Sequence, residues 1–254
     1  MSNKEKIHVF IPTYYREPTV RICAEALLGT YRSDGYDVFL VFVDNGSNDS
    51  LRQYLSGLKD RCEYVRVILL DHNVGKSKAI NDAAKQFSGF DWFINCDSDI
   101  LAMTPGWPGL LVDCYKEIPR AGMVSVGYAK NGNNPMPEQP SVMNLDIRGS
   151  KYTFHYGGPV AGGCFATHVG VWDDIGYRNG GVYGGVDGLF RQHVAESLMR
   201  KCGYVDEITA EHFDDRDENS EYHRWKMDVQ NCIRQFSPLA DPKKLGNDKG
   251  FWDK

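Results

Sequence analysis

The chain has 254 residues, 42% of them hydrophobic and 25% charged, which suits an ordinary soluble globule with room for one large α/β domain. Its formal net charge of -5 at pH 7 gives no electrostatic footprint for nucleic acid or an anionic bilayer, and no Lys/Arg run marks a local one. The sequence has no apolar run near the roughly 20 residues that span a membrane, no leader-like start, and seven scattered cysteines without a closely spaced zinc or redox pair. These features predict a cytoplasmic protein with reduced, mostly buried thiols.

Residues 7–11 form an apolar run closed by Pro12-Thr13, which predicts a buried first strand. After Pro18, the residues Val20, Cys23, Ala24, Leu27 and Leu28 fall on one helical face that stops at Gly29. Residues 38–43 predict a second buried strand ending at Asp44, and 45–49 carry turn and cap chemistry. Leu51, Tyr54, Leu55 and Leu58 mark the next helix, 64–70 a third strand, and Ile80, Ala83, Ala84 and Phe87 a third helix. Residues 92–96 are the fourth strand. The alternation β-α-β-α-β-α-β implies a parallel sheet with helices on both faces and right-handed crossovers. It gathers the loops 13–17, 44–49, 73–76 and 97–99 at one carboxyl edge, where ligands of such sheets bind.

The second half is less regular. Pro108 opens a short helix through Leu110, Leu111 and Cys114, and 123–129 is strand-like. Residues 130–158 are rich in Gly, Asn and Pro with little periodicity, which predicts an irregular functional lid. Residues 160–167 predict another buried strand and 180–188 a glycine-rich turn carrying Asp187. Leu189, Phe190, Val194 and Leu198 suggest a helix, 204–209 a strand, and Trp225, Val229 and Phe236 a last amphipathic helix. Residues 1–237 are read as one domain, with a regular half (1–100) and a less regular half (101–237), and 238–254 as a loose tail.

Asp97-Ser98-Asp99 ends the fourth apolar run in two carboxylates. If the strand continued, both would share a face, and like charges that close raise each other's pKa unless a cation lies between them. Such an oxygen-rich site suits magnesium, manganese or calcium; a solvated turn is the plainer alternative. Gly75-Lys76-Ser77 lacks the P-loop glycine five positions earlier, where Leu70 stands. Asn73 and Gly75 can still hold a phosphate at a helix start, with Lys76 adding charge, or form a plain turn. Asp44 can accept the N–H of a nucleobase or cap the turn at Ser47.

Taken together, 11–16 (IPTYYR), 43–49 (VDNGSND), Asn73-Val74-Gly75 with Ala79 and Asn81, and Asp97-Ser98-Asp99 resemble the family-2 glycosyltransferases of the GT-A fold. The usual family pattern has Asp at Asn45 and Asn at Tyr15. More weakly, Tyr183-Gly184-Gly185-Val186-Asp187 resembles the acceptor segment, with Val186 in place of its Glu. The resemblance implies a Rossmann-like, mostly parallel α/β sheet and an inverting transfer from a nucleoside-diphosphate sugar, a UDP-sugar first, to an acceptor hydroxyl. It implies donor binding by Pro12, Thr13, Tyr15, Arg16, Asp44, Asn73, Gly75, Lys76, Asp97 and Ser98. It also implies a Mn2+ or Mg2+ site of Asp97, Asp99 and His212, with His223 the runner-up, and Asp187 as catalytic base. A nucleotidyltransferase is the alternative, although the loop after the first strand carries only Arg16 of the basic residues it would use. A non-catalytic nucleotide-sugar binder is another, against which the retained Asp97, Asp99 and Asp187 argue. Sugar, lipid-linked sugar, protein and nucleic-acid acceptors all stay open.

Overall fold

The computed structural model describes residues 4–102, 104–128, 136–177 and 186–212. Strands β1 (Glu5–Thr13), β2 (Tyr36–Asp44), β3 (Val65–Leu69) and β4 (Trp92–Cys96) alternate with helices α1 (Glu17–Thr30), α2 (Asp49–Arg61) and α3 (Lys76–Gln86). The strands pair in parallel in the spatial order β3-β2-β1-β4, as the alternation predicts. Helix α1 carries proline in its first turn, where a missing N–H breaks no helical bond. Helix α2 is capped by Asn48, whose side chain accepts from the Leu51 N–H at 3.2 Å, and it ends on Lys59 and Arg61, which complement the helix dipole.

The chain continues through β5 (Ile100–Ala102), α4 (Trp107–Glu117), β6 (Ala121–Tyr128), β7 (Ser141–Ile147), β8 (Ser150–Tyr156), β9 (Cys164–His168) and α5 (Val169–Ile175). After α6 (Val186–Gln192) and a π-helical turn, His193–Ser197, comes β10 (Lys201–His212). The sheet runs β3-β2-β1-β4-β9-β6-β10-β8-β7, with β5 against β10. Strand β9 is antiparallel to both β4 and β6, and β10 is parallel to β6. The carboxyl ends of β1 to β4, β6 and β10 therefore open on the same edge.

Side chains alternate between two apolar layers with the period of a strand. Ile7, Val9 and Ile11, with Leu40 and Ile94, pack against α1, α2 and α4. Phe10, Val41, Val43 and Phe93 face the other way, onto α3, α5 and α6. Helices cover both faces of β1 to β4, and the carboxyl-edge loops lie beyond that cover.

Two expectations are corrected. Residues 141–156 are not an irregular lid but the β7–β8 hairpin, which joins the sheet through β10. Leu145, Ile147 and Phe154 are buried there, and the strands turn at Arg148 and Gly149, both at positive φ. Nor do Asp97 and Asp99 share a strand face. Strand β4 stops at Cys96, and the two carboxylates stand in the turn before β5. The stretch 129–135, the glycines up to Gly185, His223, the helix expected around Trp225 and the tail lie outside the described residues.

Candidate active site

Strand β1 ends at Thr13, and the chain turns through Tyr15 and Arg16, both in the left-handed region at φ 48° and 54°. That conformation is uncommon for residues with a Cβ. The turn is held by the Tyr15 N–H, which donates to Ser47 Oγ at 2.8 Å, and it aims Arg16 across the edge. Arg16 Nη1 donates to Asp99 Oδ2 at 3.1 Å. His212, the last residue of β10, approaches the same carboxylate, with Nε2 3.4 Å from Asp99 Oδ1. Its ring lies 5.5 Å from that of Tyr128.

Asp44, at the end of β2, is fully buried. Its carboxylate accepts from the Ser47 N–H at 3.1 Å and from Thr13 Oγ1 at 3.4 Å, with Arg52 at 3.7 Å. Burial raises its pKa, against the pull of those hydrogen bonds and of Arg52. Of the two roles open to Asp44, the structure displays the turn cap.

The loops after β2 and β3 are locked together by two amides. Asn45 Nδ2 donates to Asn73 Oδ1 at 2.8 Å, and Asn45 Oδ1 accepts from the Val74 N–H at 2.9 Å. Asn73 Oδ1 also accepts from the Gly75 N–H at 2.8 Å. Gly46, at φ 83°, lets the loops close: a Cβ there would stand 2.6 Å from His72 Cα.

Lys76 begins α3 and points its ammonium between two carboxylates. Nζ is 2.7 Å from Asp97 Oδ1 and 3.2 and 3.0 Å from the two oxygens of Asp187. Burial disfavours the ammonium, but Asp187 and Asp97 outweigh it and raise the lysine's pKa. Burial likewise raises Asp97, partly offset by Lys76. Asn95, fully buried in β4, donates through Nδ2 to Asp97 Oδ1 at 3.2 Å and to the Gly162 carbonyl at 3.1 Å. Asp187 stands in the first turn of α6, so it is inside the helix rather than capping one that starts later. Tyr177 donates its hydroxyl to Asp187 Oδ1 at 2.7 Å.

The structure thus brings together two groups at one edge: Lys76, Asp97 and Asp187, and Arg16, Asp99 and His212. Thr13, Asn73 and Gly75 serve the surrounding loops. Tyr15 contributes its backbone and sets its ring 4.8 Å from that of Tyr14, Pro12 stays within β1, and Ser98 sits in the turn between the carboxylates. Sequence reasoning missed Asn95 and Tyr177. A polar residue inside the apolar run 92–96 was a usable signal for Asn95; nothing local marks Tyr177.

Asp99 Oδ1 and His212 Nε2 offer a carboxylate oxygen and an imidazole nitrogen at a separation that fits two donors on one divalent ion. Among the described residues no group of three or more His, Cys, Asp and Glu side chains closes on one point, because Asp97 turns to Lys76. The pair supplies two donors, so a divalent ion held there would need further ligands from outside these side chains.

A parallel sheet whose carboxyl edge carries these loops, with an antiparallel strand entering beside β4, defines a GT-A type α/β fold. The chain belongs to Glycosyl transferase family 2, whose profile matches residues 8–175. It is similar, at 30% identity over 97 residues, to an undecaprenyl-phosphate 4-deoxy-4-formamido-L-arabinose transferase of Pectobacterium atrosepticum (38% of this chain, 29% of that one). It is 31% identical over 74 residues to the putative glycosyltransferase CsbB of Bacillus subtilis (29% of this chain, 22% of that one). The matched stretches span less than a third of either relative.

Among solved structures it resembles the mannosyltransferase PcManGT of Pyrobaculum calidifontis in complex with GDP-Man and Mn2+. The TM-score is 0.65 at 15% identity, over 96% of this chain and 68% of that one. GalNAc-T7 with UDP, GalNAc and Mn2+ gives 0.67 at 14%, over 98% and 55%. At such identities the likeness is one of fold. No described helix is long and apolar enough to cross a membrane.

Proposed function

We propose that the chain is a glycosyltransferase that moves a sugar from a nucleoside-diphosphate sugar to an acceptor hydroxyl with inversion. The observation that carries this reading is Lys76 lying between Asp97 and Asp187 at the carboxyl edge. In this reading the Lys76 ammonium meets the leaving diphosphate and the Asp187 carboxylate takes the proton of the acceptor hydroxyl. The similar folds solved with GDP-Man or with UDP support the donor class, with uridine the first base to try.

The loops that Thr13, Tyr15, Asp44 and Asn73 hold in shape frame the nucleoside, and Arg16 and Lys76 face the phosphates. Asp99 and His212 would hold manganese or magnesium, which when bound supplies positive charge to the departing diphosphate. The acceptor oxygen forms a bond to the anomeric carbon as the bond from that carbon to the diphosphate oxygen breaks. The acceptor's proton passes to Asp187, and the nucleoside diphosphate leaves with the electron pair, its charge met by Lys76. One displacement inverts the centre. Residues 1–100 act as donor half and 101–237 as acceptor half. The buried free thiols of the described residues fit a cytoplasmic setting.

The test is a panel of nucleotide sugars screened by thermal melting with manganese and with chelator, followed by transfer assays on the donors that bind. At about 100 times its dissociation constant a donor adds roughly 2.7 kcal/mol, a rise on the order of 5–10 °C. A rise with nucleoside triphosphates and none with any nucleotide sugar would overturn the reading.

A further inference from the structure

The Asp187 carboxylate is held from two sides, and only one of the holders belongs to the donor site. Lys76 meets both oxygens. Tyr177 meets Oδ1 from behind, and its ring is almost completely buried between aromatic side chains. It stands edge-on to Trp172 at 5.0 Å, to Phe190 at 5.9 Å and to Phe93 at 6.4 Å. Rings packed this way leave the phenol one direction to point.

The backbone of Tyr177 is fixed as firmly. Asn81, in the middle of α3, accepts from the Tyr177 N–H at 3.0 Å and donates to the Tyr177 carbonyl at 2.7 Å. One amide thus completes both backbone groups of a residue that follows the end of α5. Gly176 makes the turn possible: it leaves α5 at φ 54° and ψ -170°, a conformation that residues with a Cβ rarely adopt. Gly162 packs closely against the same side chain: a Cβ there would stand 2.0 Å from Asp187 Cβ and 2.9 Å from Oδ2.

Helix α3 therefore reaches Asp187 twice, through Lys76 at its start and through Asn81 and Tyr177 one face further on. The two supports differ in chemistry. A lysine facing a diphosphate turns toward it when donor binds, whereas a phenol inside an aromatic cage stays where it is.

We infer that Tyr177, clamped by Asn81, is the positioning residue of Asp187. It keeps Oδ1 occupied so that Oδ2 faces the acceptor hydroxyl after Lys76 has turned to the donor. This rests on Asp187 being the base of the proposed transfer.

The experiment is a double-mutant cycle of Asp187→Asn and Tyr177→Phe on the full chain, with donor affinity, melting temperature and single-turnover transfer measured for each. Asp187→Asn should lower turnover by on the order of 10²–10⁴. Tyr177→Phe keeps the ring and loses the hydroxyl. It should lower turnover about 10- to 100-fold, the size of one hydrogen bond to a charge, with donor affinity unchanged and the melting temperature lowered by only a few degrees. The double variant should be no slower than Asp187→Asn, because the hydroxyl acts only through the carboxylate. Asn81→Ala should lower turnover in the same way, again with donor affinity kept.

Wild-type turnover in Tyr177→Phe beside an inactive Asp187→Asn would overturn this inference and leave the proposed function standing. Losses that multiply in the double variant would do the same. Wild-type turnover in Asp187→Asn would overturn the role of Asp187 itself, and Tyr177's with it.

Discussion

The Lys76 ammonium lies 3.0 Å from the Asp187 carboxylate, although 111 positions separate the two residues in the chain. Lys76 opens the helix after β3, in the half proposed to bind the donor. Asp187 opens the helix before β10, in the half that would face an acceptor. Their contact ties the halves across the carboxyl edge, with Asp97 as the third member.

Replacing the lysine tests that tie. Lys76→Gln keeps a donor but removes the charge, leaving Asp97 and Asp187 as like charges in a partly buried site. The apo melting temperature should fall slightly. Donor affinity should fall about 10- to 100-fold, the worth of a charge-assisted bond to phosphate. Titration calorimetry with the best donor reads this directly, and an unchanged affinity would remove Lys76 from the donor site.

Asp99 and His212 should part company when each is replaced. Both Asp99→Ala and His212→Ala should weaken manganese-dependent donor binding, followed by manganese relaxation and by calorimetry. Only Asp99→Ala takes a carboxylate from Arg16, and the pair is largely buried, so it should cost about 1–3 kcal/mol of apo stability. His212→Ala leaves that pair intact and should melt near wild type. If His212→Ala binds manganese as wild type does, His212 is not a ligand and His223 is the next residue to replace.

Much of this was readable from the sequence, and the limits have physical causes. The first hundred residues alternate apolar periods of two and 3.6 so regularly that β1 to β4 and their helices could be placed to within a few residues. The 141–156 hairpin was missed because the glycines, asparagines and prolines at its flanks hid the alternation of Met143, Leu145 and Ile147. The carboxylates of the site were named from their order along the chain. The resemblance already put His212 beside Asp99, but the pairing of Arg16 with Asp99 and of Lys76 with Asp97 was not readable, since those cations arrive only after the sheet has formed. Tyr177 is the clearest case: its role depends on Asn81, 96 positions away, and on an aromatic cage assembled from β4, α5 and α6.

Asn45 departs from the usual family pattern, which has aspartate there, and the structure gives a local reason. Its Nδ2 donates to Asn73 Oδ1, which is fixed as an acceptor by the Gly75 N–H. Asn45→Asp would set a carboxylate against that oxygen, next to the buried Asp44. The cost should be about 1–3 kcal/mol, a melting loss of roughly 3–10 °C at pH 7. The introduced carboxyl would have a folded pKa above its unfolded one. The penalty is therefore present above the folded pKa and fades as the group protonates and regains a donor near pH 4. A variant that melts like wild type at pH 7 would mean that the two loops are not locked by this bond.

His8 should make the fold acid-sensitive. It is buried in β1 beside Phe39 and Phe90, with ring centroids at 5.1 and 5.2 Å. Burial pushes its pKa down to about 4 from the ordinary 6.5, with the charges of Lys6 and Arg66 adding to the effect. The unfolded chain takes up a proton near pH 6.5, while the folded chain refuses it until about pH 4. The stability contribution is therefore complete above pH 6.5 and is lost as pH falls, at about 1.4 kcal/mol per unit across that window. His8→Gln stays neutral and keeps a donor for the contact that the imidazole makes with the Phe87 backbone. Between pH 7 and pH 5 the wild type should lose about 2 kcal/mol more than the variant, read as the difference in urea unfolding free energy. Equal losses in the two proteins would mean that His8 titrates normally in the folded chain, and that the acid sensitivity lies with the carboxylates.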